Sequence, residues 1–105
     1  MSKESVIYVL GCKEFPNRFK IEYTDDFDAR ISRLAKQMPY NVIVYYKRYT
    51  PVAEITETVV HHIFKKFRVS SDINWFDIDD KSIVIEEIND VITFFENKDE
   101  KYSTF

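Results

Sequence analysis

The sequence predicts one small domain of the mixed α/β (α+β) class, with a three-stranded mixed or antiparallel sheet flanked by helices. Three observations carry this. A chain of 105 residues, 45% hydrophobic and 16% aromatic with a single Gly and three Pro, has room for one core and the apolar content to build it. Short β-branched and aromatic runs alternate with longer stretches that are apolar at helical spacing, in the order β-β-α-β-α-(β)-α. The lone cysteine, Cys12, has no partner for an internal disulfide or a Cys/His zinc cage, so folding has to rest on packing.

Val6–Leu10 and Arg18–Thr24 read as two strands joined by a hairpin-like loop containing Gly11, Pro16 and Asn17. A helix follows over Asp25–Met38, with Phe27, Ile31, Leu34 and Met38 on one stripe and Thr24 or Asp25 as its cap. Pro39–Asn41 ends it. The run Val42-Ile43-Val44-Tyr45-Tyr46 within Asn41–Tyr49 reads as a buried central strand. Thr50-Pro51 is a helix start, with Thr as cap and Pro at the first helical position. That helix is expected to reach Arg68 and to pack Val52, Ile55, Val59, Ile63 and Phe67, with Ala53, Val60 and Phe64 widening its apolar face. Trp75–Ile78 reads as a short edge strand. Asp80–Asn97 reads as a closing helix that buries Val84, Ile88, Val91 and Phe95. The domain is thus expected over residues 1–97, with a polar tail over 98–105.

The net charge of −3 argues against a general nucleic-acid binder, but the charge is unevenly placed. Residues 1–71 carry a balance of +4 and residues 72–105 one of −7. Any phosphate-binding surface should therefore come from the first two thirds, where Arg18, Arg33, Lys36, Lys65, Lys66 and Arg68 are the candidate contacts. No apolar run approaches the roughly 20 residues of a membrane-spanning helix, and the opening apolar run is too short for a signal-peptide core. With one cysteine, this points to an intracellular protein, cytoplasmic or nuclear, with no membrane partner.

Strand alternation sets the first chemical constraint. If Ile7, Val9, Phe19 and Ile21 face the core, then Tyr8, Lys20, Glu22 and Thr24 share the opposite face. On the long helix, Glu57 and His61 stand four residues apart and meet on one face, with Glu54, Lys65 and Arg68 near. Alone, these residues make an ordinary solvated surface with a Glu–His pair. Read functionally, Glu57 is a ligand for a hard cation and His61 shuttles a proton or orients water. His62 lies a helical step away and reads as packing or surface. Arg30, on the border of the first helix's apolar stripe, can present a two-pronged donor to a phosphate or pair with Asp26 one turn earlier.

Taken in order, Ile7-Tyr8, then Phe19-Lys20-Ile21-Glu22-Tyr23-Thr24, then Arg30, then Glu57-x3-His61-x2-Phe64, then Trp75-Phe76, resemble the motifs of the GIY-YIG nuclease superfamily. The branch they are most similar to is typified by a fungal meiotically up-regulated gene product and bacteriophage open reading frames. The resemblance spans roughly Val6 to Ile78. It implies a GIY-YIG-like fold and a DNA endonuclease that hydrolyses phosphodiesters with one divalent cation, Mg²⁺ or Mn²⁺, and little intrinsic sequence specificity. By position, Tyr8 matches the tyrosine that orients or deprotonates water, and Lys20 stands where the branch carries lysine. Arg30 matches the phosphate-holding arginine, Glu57 the metal-binding glutamate, and His61 the helix histidine. Two positions depart from the motifs: Glu22 replaces a glycine and Asn74 replaces the glutamate before Trp75-Phe76. These departures set the alternative, a catalytically degenerate module that binds nucleic acid or a protein.

Overall fold

Strands β1 (Val6–Cys12) and β2 (Phe15–Thr24) pair antiparallel around a turn at Lys13 and Glu14. The computed structural model describes residues 5–70 and 73–103, with side chains through residue 97. Both strands are longer than the sequence suggests: Gly11 lies inside β1, and Pro16 and Asn17 lie inside β2. Gly11 sits at a register shift, and its bare Cα is needed there. A Cβ would come within 2.4 Å of the Tyr45 ring and 3.3 Å of the Arg18 carbonyl oxygen.

Helix α1 (Phe27–Gln37) begins later than a cap at Thr24 or Asp25 would place it. Asp26 is the cap, its carboxylate accepting from the Ala29 amide at 3.3 Å. Strand β3 (Ile43–Tyr49) pairs with β1, and strand β4 (Trp75–Asp77) pairs with β2, giving a four-stranded antiparallel sheet in the order β3-β1-β2-β4. The sheet thus has one strand more than the three expected, and β3 is an edge strand, half-exposed rather than buried at the centre. Its tyrosines explain the misreading, since Tyr45 and Tyr46 pack against the core from a rim position that β-branched residues would also suit.

Thr50-Pro51 makes a turn before helix α2 (Ala53–Ile63) rather than its first turn, with Thr50 Oγ1 accepting from the Val52 amide at 3.3 Å. The helix gives way to a 3₁₀ turn over Lys65–Phe67, well short of Arg68. Its buried face is Ala53, Thr56, Val60 and Phe64, while Ile55, Ile63 and Phe67 are exposed. The apolar stripe is therefore rotated by about one residue from the expected one. Helix α3 (Lys81–Ser103) buries Val84, Ile88, Val91 and Ile92 and continues beyond Asn97 through the stretch expected to be a tail; residues 104 and 105 lie outside the described residues.

Both faces of the sheet are covered. Ile7, Val9, Phe19, Ile21 and Phe76 pack under α2 and α3, and Val6, Tyr8 and Leu10 pack under Leu34, Phe27 and Ile31 of α1. The alternation along β1 and β2 is as expected, but the face carrying Tyr8, Lys20 and Glu22 is buried beneath α1 instead of open to water. Among the described residues, no helix is long and apolar enough to cross a membrane.

Candidate functional site

The site lies where β2 outruns its short neighbour β4. The three residues of β4 pair only with Arg18, Phe19 and Lys20. Beyond them, the amide of Ile21 donates to the Asn74 carbonyl at 3.1 Å, and the carbonyl of Ile21 accepts from His61 Nε2 at 2.6 Å. Groups from α1, α2 and the segment before β4 thereby meet at one strand edge.

Glu22 is the centre of this meeting. Its register opposite Tyr8 across the β1–β2 pair puts the phenol directly against its carboxylate, and Tyr8 Oη donates to Glu22 Oε1. Arg30 reaches down from α1 and donates through Nε to the same oxygen at 2.9 Å. Lys20 Nζ stands 3.4 Å from Glu22 Oε2, and Asn74 Nδ2 donates to that oxygen at 3.0 Å. Four donors thus converge on one carboxylate that is 9% exposed. Burial alone would raise the Glu22 pKa, but hydrogen bonds from Arg30, Tyr8 and Asn74 and the charge of Lys20 outweigh it and hold the acid at about 2. Tyr8 moves the other way: burial and the neighbouring Glu22 charge raise its pKa well above that of a free phenol, so it keeps its proton.

Of the two fates open to Arg30 in the sequence, phosphate-type donor or pair with Asp26, its Nε takes a carboxylate in the donor geometry. The two departures from the motifs turn out to touch. With Glu22 in place, a second glutamate at 74 would set two carboxylates about 3 Å apart; asparagine supplies a neutral donor instead.

Glu57 and His61 border the cluster from α2. Glu57 is partly buried, and its pKa is raised to about 7, first by burial and then by the charges of Glu22 and Glu54. His61 Nε2 is 3.7 Å from Glu57 Oε1, too long for a hydrogen bond. Both ring nitrogens are engaged elsewhere. A carbonyl can only accept and a guanidinium can only donate, so Nε2 carries the proton to Ile21 and Nδ1 accepts from Arg68 Nη2 at 2.9 Å. Burial lowers the His61 pKa and favours this neutral form. In this arrangement the ring ties α2 to the sheet edge and offers no free lone pair to a water, which differs from the proton-shuttling role expected for it.

The remaining candidates divide in two. Arg18 is bound to Asp77 through two hydrogen bonds of 2.7 and 3.1 Å, and Arg68 is engaged with His61 and stacks over Phe76. Arg33 and Lys36 on α1, and Lys65 and Lys66 in the 3₁₀ turn, are exposed. A cleft of about 420 Å³ opens beside the cluster, lined by His61, His62, Lys65 and Arg68. His62, read from the sequence as packing or surface, is thus exposed at this cleft. Trp75 lies under Lys20, with Nζ 5.6 Å from the ring centroid, while Phe76 points into the core. The sequence places Glu22 on the face of Tyr8 and Lys20 by alternation, but it flags Asn74 only as a departure. The place of Asn74 in the cluster depends on the pairing of β4 with β2, which no local pattern announces.

Among the described residues, no group of three or more His, Cys, Asp or Glu side chains is arranged to hold a metal ion. The carboxylate that the resemblance would give to a divalent cation is Glu57, which lies beside the cluster. A single carboxylate fits a hard ion that keeps most of its waters, and a cation there would relieve the burial and like charge that raise the acid.

No curated protein and no solved structure matches the chain. The model of the T5orf172 domain family matches residues 5–96, which takes in every strand, α1, α2, the cluster around Glu22 and most of α3, and the chain belongs to that family.

Proposed function

We propose that this domain is a nuclease of GIY-YIG type that hydrolyses DNA phosphodiesters. The observation that carries the reading is the convergence of Tyr8, Lys20 and Arg30 on one buried anionic group, with the Glu57 carboxylate beside it. Three donors from three different elements gathered on a negative charge form the kind of preorganised arrangement that phosphoryl chemistry requires. Membership of the T5orf172 domain family, whose members are nuclease-related, supports a nucleic-acid role.

In this reading Arg30 and Lys20 hold the charge of the scissile phosphate. Tyr8 lies deep in the cluster and orients the attacking water through its hydroxyl. A divalent cation, Mg²⁺ or Mn²⁺, held by Glu57 would neutralise charge on the phosphate and on the departing oxygen. His61 is a positioning residue, fixing α2 and hence Glu57 against the edge of β2. Arg33 and Lys36 on α1 and Lys65 and Lys66 in the turn after α2 are exposed and would contact neighbouring phosphates without reading bases. The buried, unpaired Cys12 suits a reducing, intracellular compartment.

The test is nicking of supercoiled plasmid and of branched DNA by the pure protein with Mg²⁺ or Mn²⁺ and with chelator. Cleavage is expected only with the cation, falling at least 100-fold in Glu57→Gln and in Arg30→Ala. A second reading, a module that binds nucleic acid without cutting it, is favoured by Glu22, which places a negative charge where the phosphate should sit. Salt-sensitive DNA binding that Glu57→Gln leaves unchanged, with no cleavage under any condition, would establish that reading instead.

A further inference from the structure

Glu22 is bound more fully than a structural ion pair on a strand needs to be. Its two oxygens take donors from β1, from β2 itself, from α1 and from the residue before β4, and the four donors include both cationic groups of the cluster. The donor set has the character of an oxyanion pocket: a guanidinium, an ammonium, a phenol and an amide, all turned toward one charge. Nothing in packing a sheet under a helix calls for this, since a leucine or valine at position 22 would serve the interface with α1 without drawing four polar groups inward.

We propose that Glu22 is an internal stand-in for a phosphate, a carboxylate plug that fills the oxyanion pocket of Tyr8, Lys20, Arg30 and Asn74 and must swing out before an external phosphate can enter. The inference deepens the nuclease reading of the same site and rests on it for the identity of the incoming group. The resting domain is then shut at its own phosphate position. The same contact keeps Tyr8 in the role of donor to Glu22, so its hydroxyl is released for water only when the plug leaves.

Thermal unfolding in inorganic phosphate, against sodium chloride at matched ionic strength, tests the plug without requiring cleavage. The proteins are wild type, Glu22→Ala, Glu22→Gln and the double variant Glu22→Ala/Arg30→Ala. Glu22→Ala should lose several degrees in chloride and recover most of them in millimolar phosphate, and Glu22→Gln should show a smaller gain of the same sign. Wild type and the double variant should each move by less than about 1 °C. If Glu22→Ala is unfolded at the outset, phosphate-driven refolding reads the same equilibrium, and Glu22→Gln decides the matter if no refolding occurs. Folded Glu22 variants that ignore phosphate, or a wild type that responds as strongly as they do, would overturn the plug. Phosphate rescue without cleavage by wild type or Glu22→Ala would retain the plug and defeat the nuclease reading. Cleavage by wild type with no phosphate response in either variant would do the reverse.

Discussion

Residue 22 and residue 57 are carboxylates in one neighbourhood whose proton affinities are driven apart, and opposite pH behaviour follows. The Glu22 pKa is depressed to about 2, so its contribution to stability is complete above the ordinary glutamate range and is lost as pH falls through 2. Glu22→Gln should therefore be less stable than wild type by about 2–3 kcal/mol at pH 7, with the gap closing toward pH 2. Urea unfolding at a series of pH values measures it. Glu57 has the reverse sign. Its pKa is raised to about 7, so ionising it costs the fold stability as pH rises from the ordinary range through 7. In chelator, Glu57→Gln should gain on the order of 1–3 kcal/mol over wild type at pH 8 and be neutral near pH 4. A substitution that stabilises the protein while abolishing cleavage is the signature of a group kept for chemistry. Gly11 makes a purely steric case. Gly11→Ala drives a methyl into the Tyr45 ring and should cost about 1–3 kcal/mol, read as a lowered thermal midpoint.

Among the elements, legibility tracked how local the cause was. The face assignment of β1 and β2 is legible because period-two alternation needs only neighbours in sequence, and it puts Tyr8, Lys20 and Glu22 on one face. The stripe of α2 is ambiguous in sequence because Ala53, Val60 and Phe64 run beside Ile55, Val59 and Ile63 at the same period, and the polar Thr56 on the buried face hides which of the two the sheet takes. A pair of substitutions exposes the difference. Val60→Ala should destabilise by about 1–2.5 kcal/mol, whereas Ile63→Lys should stay within about 0.5 kcal/mol of wild type in denaturant titrations. The role of His61 was likewise hidden. Its spacing from Glu57 suggested a pair, but the ring bridges the Ile21 carbonyl and Arg68, a relation across 40 residues of sequence that helical periodicity cannot report.

Across the molecule, Tyr8, Lys20 and Arg30 gather on Glu22, while the strand order that brings Asn74 to the same edge is not readable from the sequence. Consecutive runs say nothing of which strand is central, and β3 was misplaced for that reason. The charge asymmetry persists in the fold: Arg33 and Lys36 on α1 and Lys65 and Lys66 in the turn after α2 are exposed, whereas Glu86, Glu87, Asp90 and Glu96 lie on α3. If four exposed cations engage phosphates, the logarithm of DNA affinity should fall with the logarithm of salt with a slope of about −3 to −4. Fluorescence anisotropy across 50–200 mM salt gives that slope, and Lys65→Ala/Lys66→Ala should make it shallower by about 2.

The central place of β1 in the sheet has a consequence for biosynthesis. The earliest strand of the sheet in sequence, β1, is flanked on both sides in the finished sheet, and one of its partners, β3, emerges only with Ile43–Tyr49. The apolar underside then waits for Val84–Ile92 to clear the exit tunnel. A nascent chain stalled before α3 should therefore remain sensitive to protease and attractive to holding chaperones, and it should acquire resistance in one step once that helix is released.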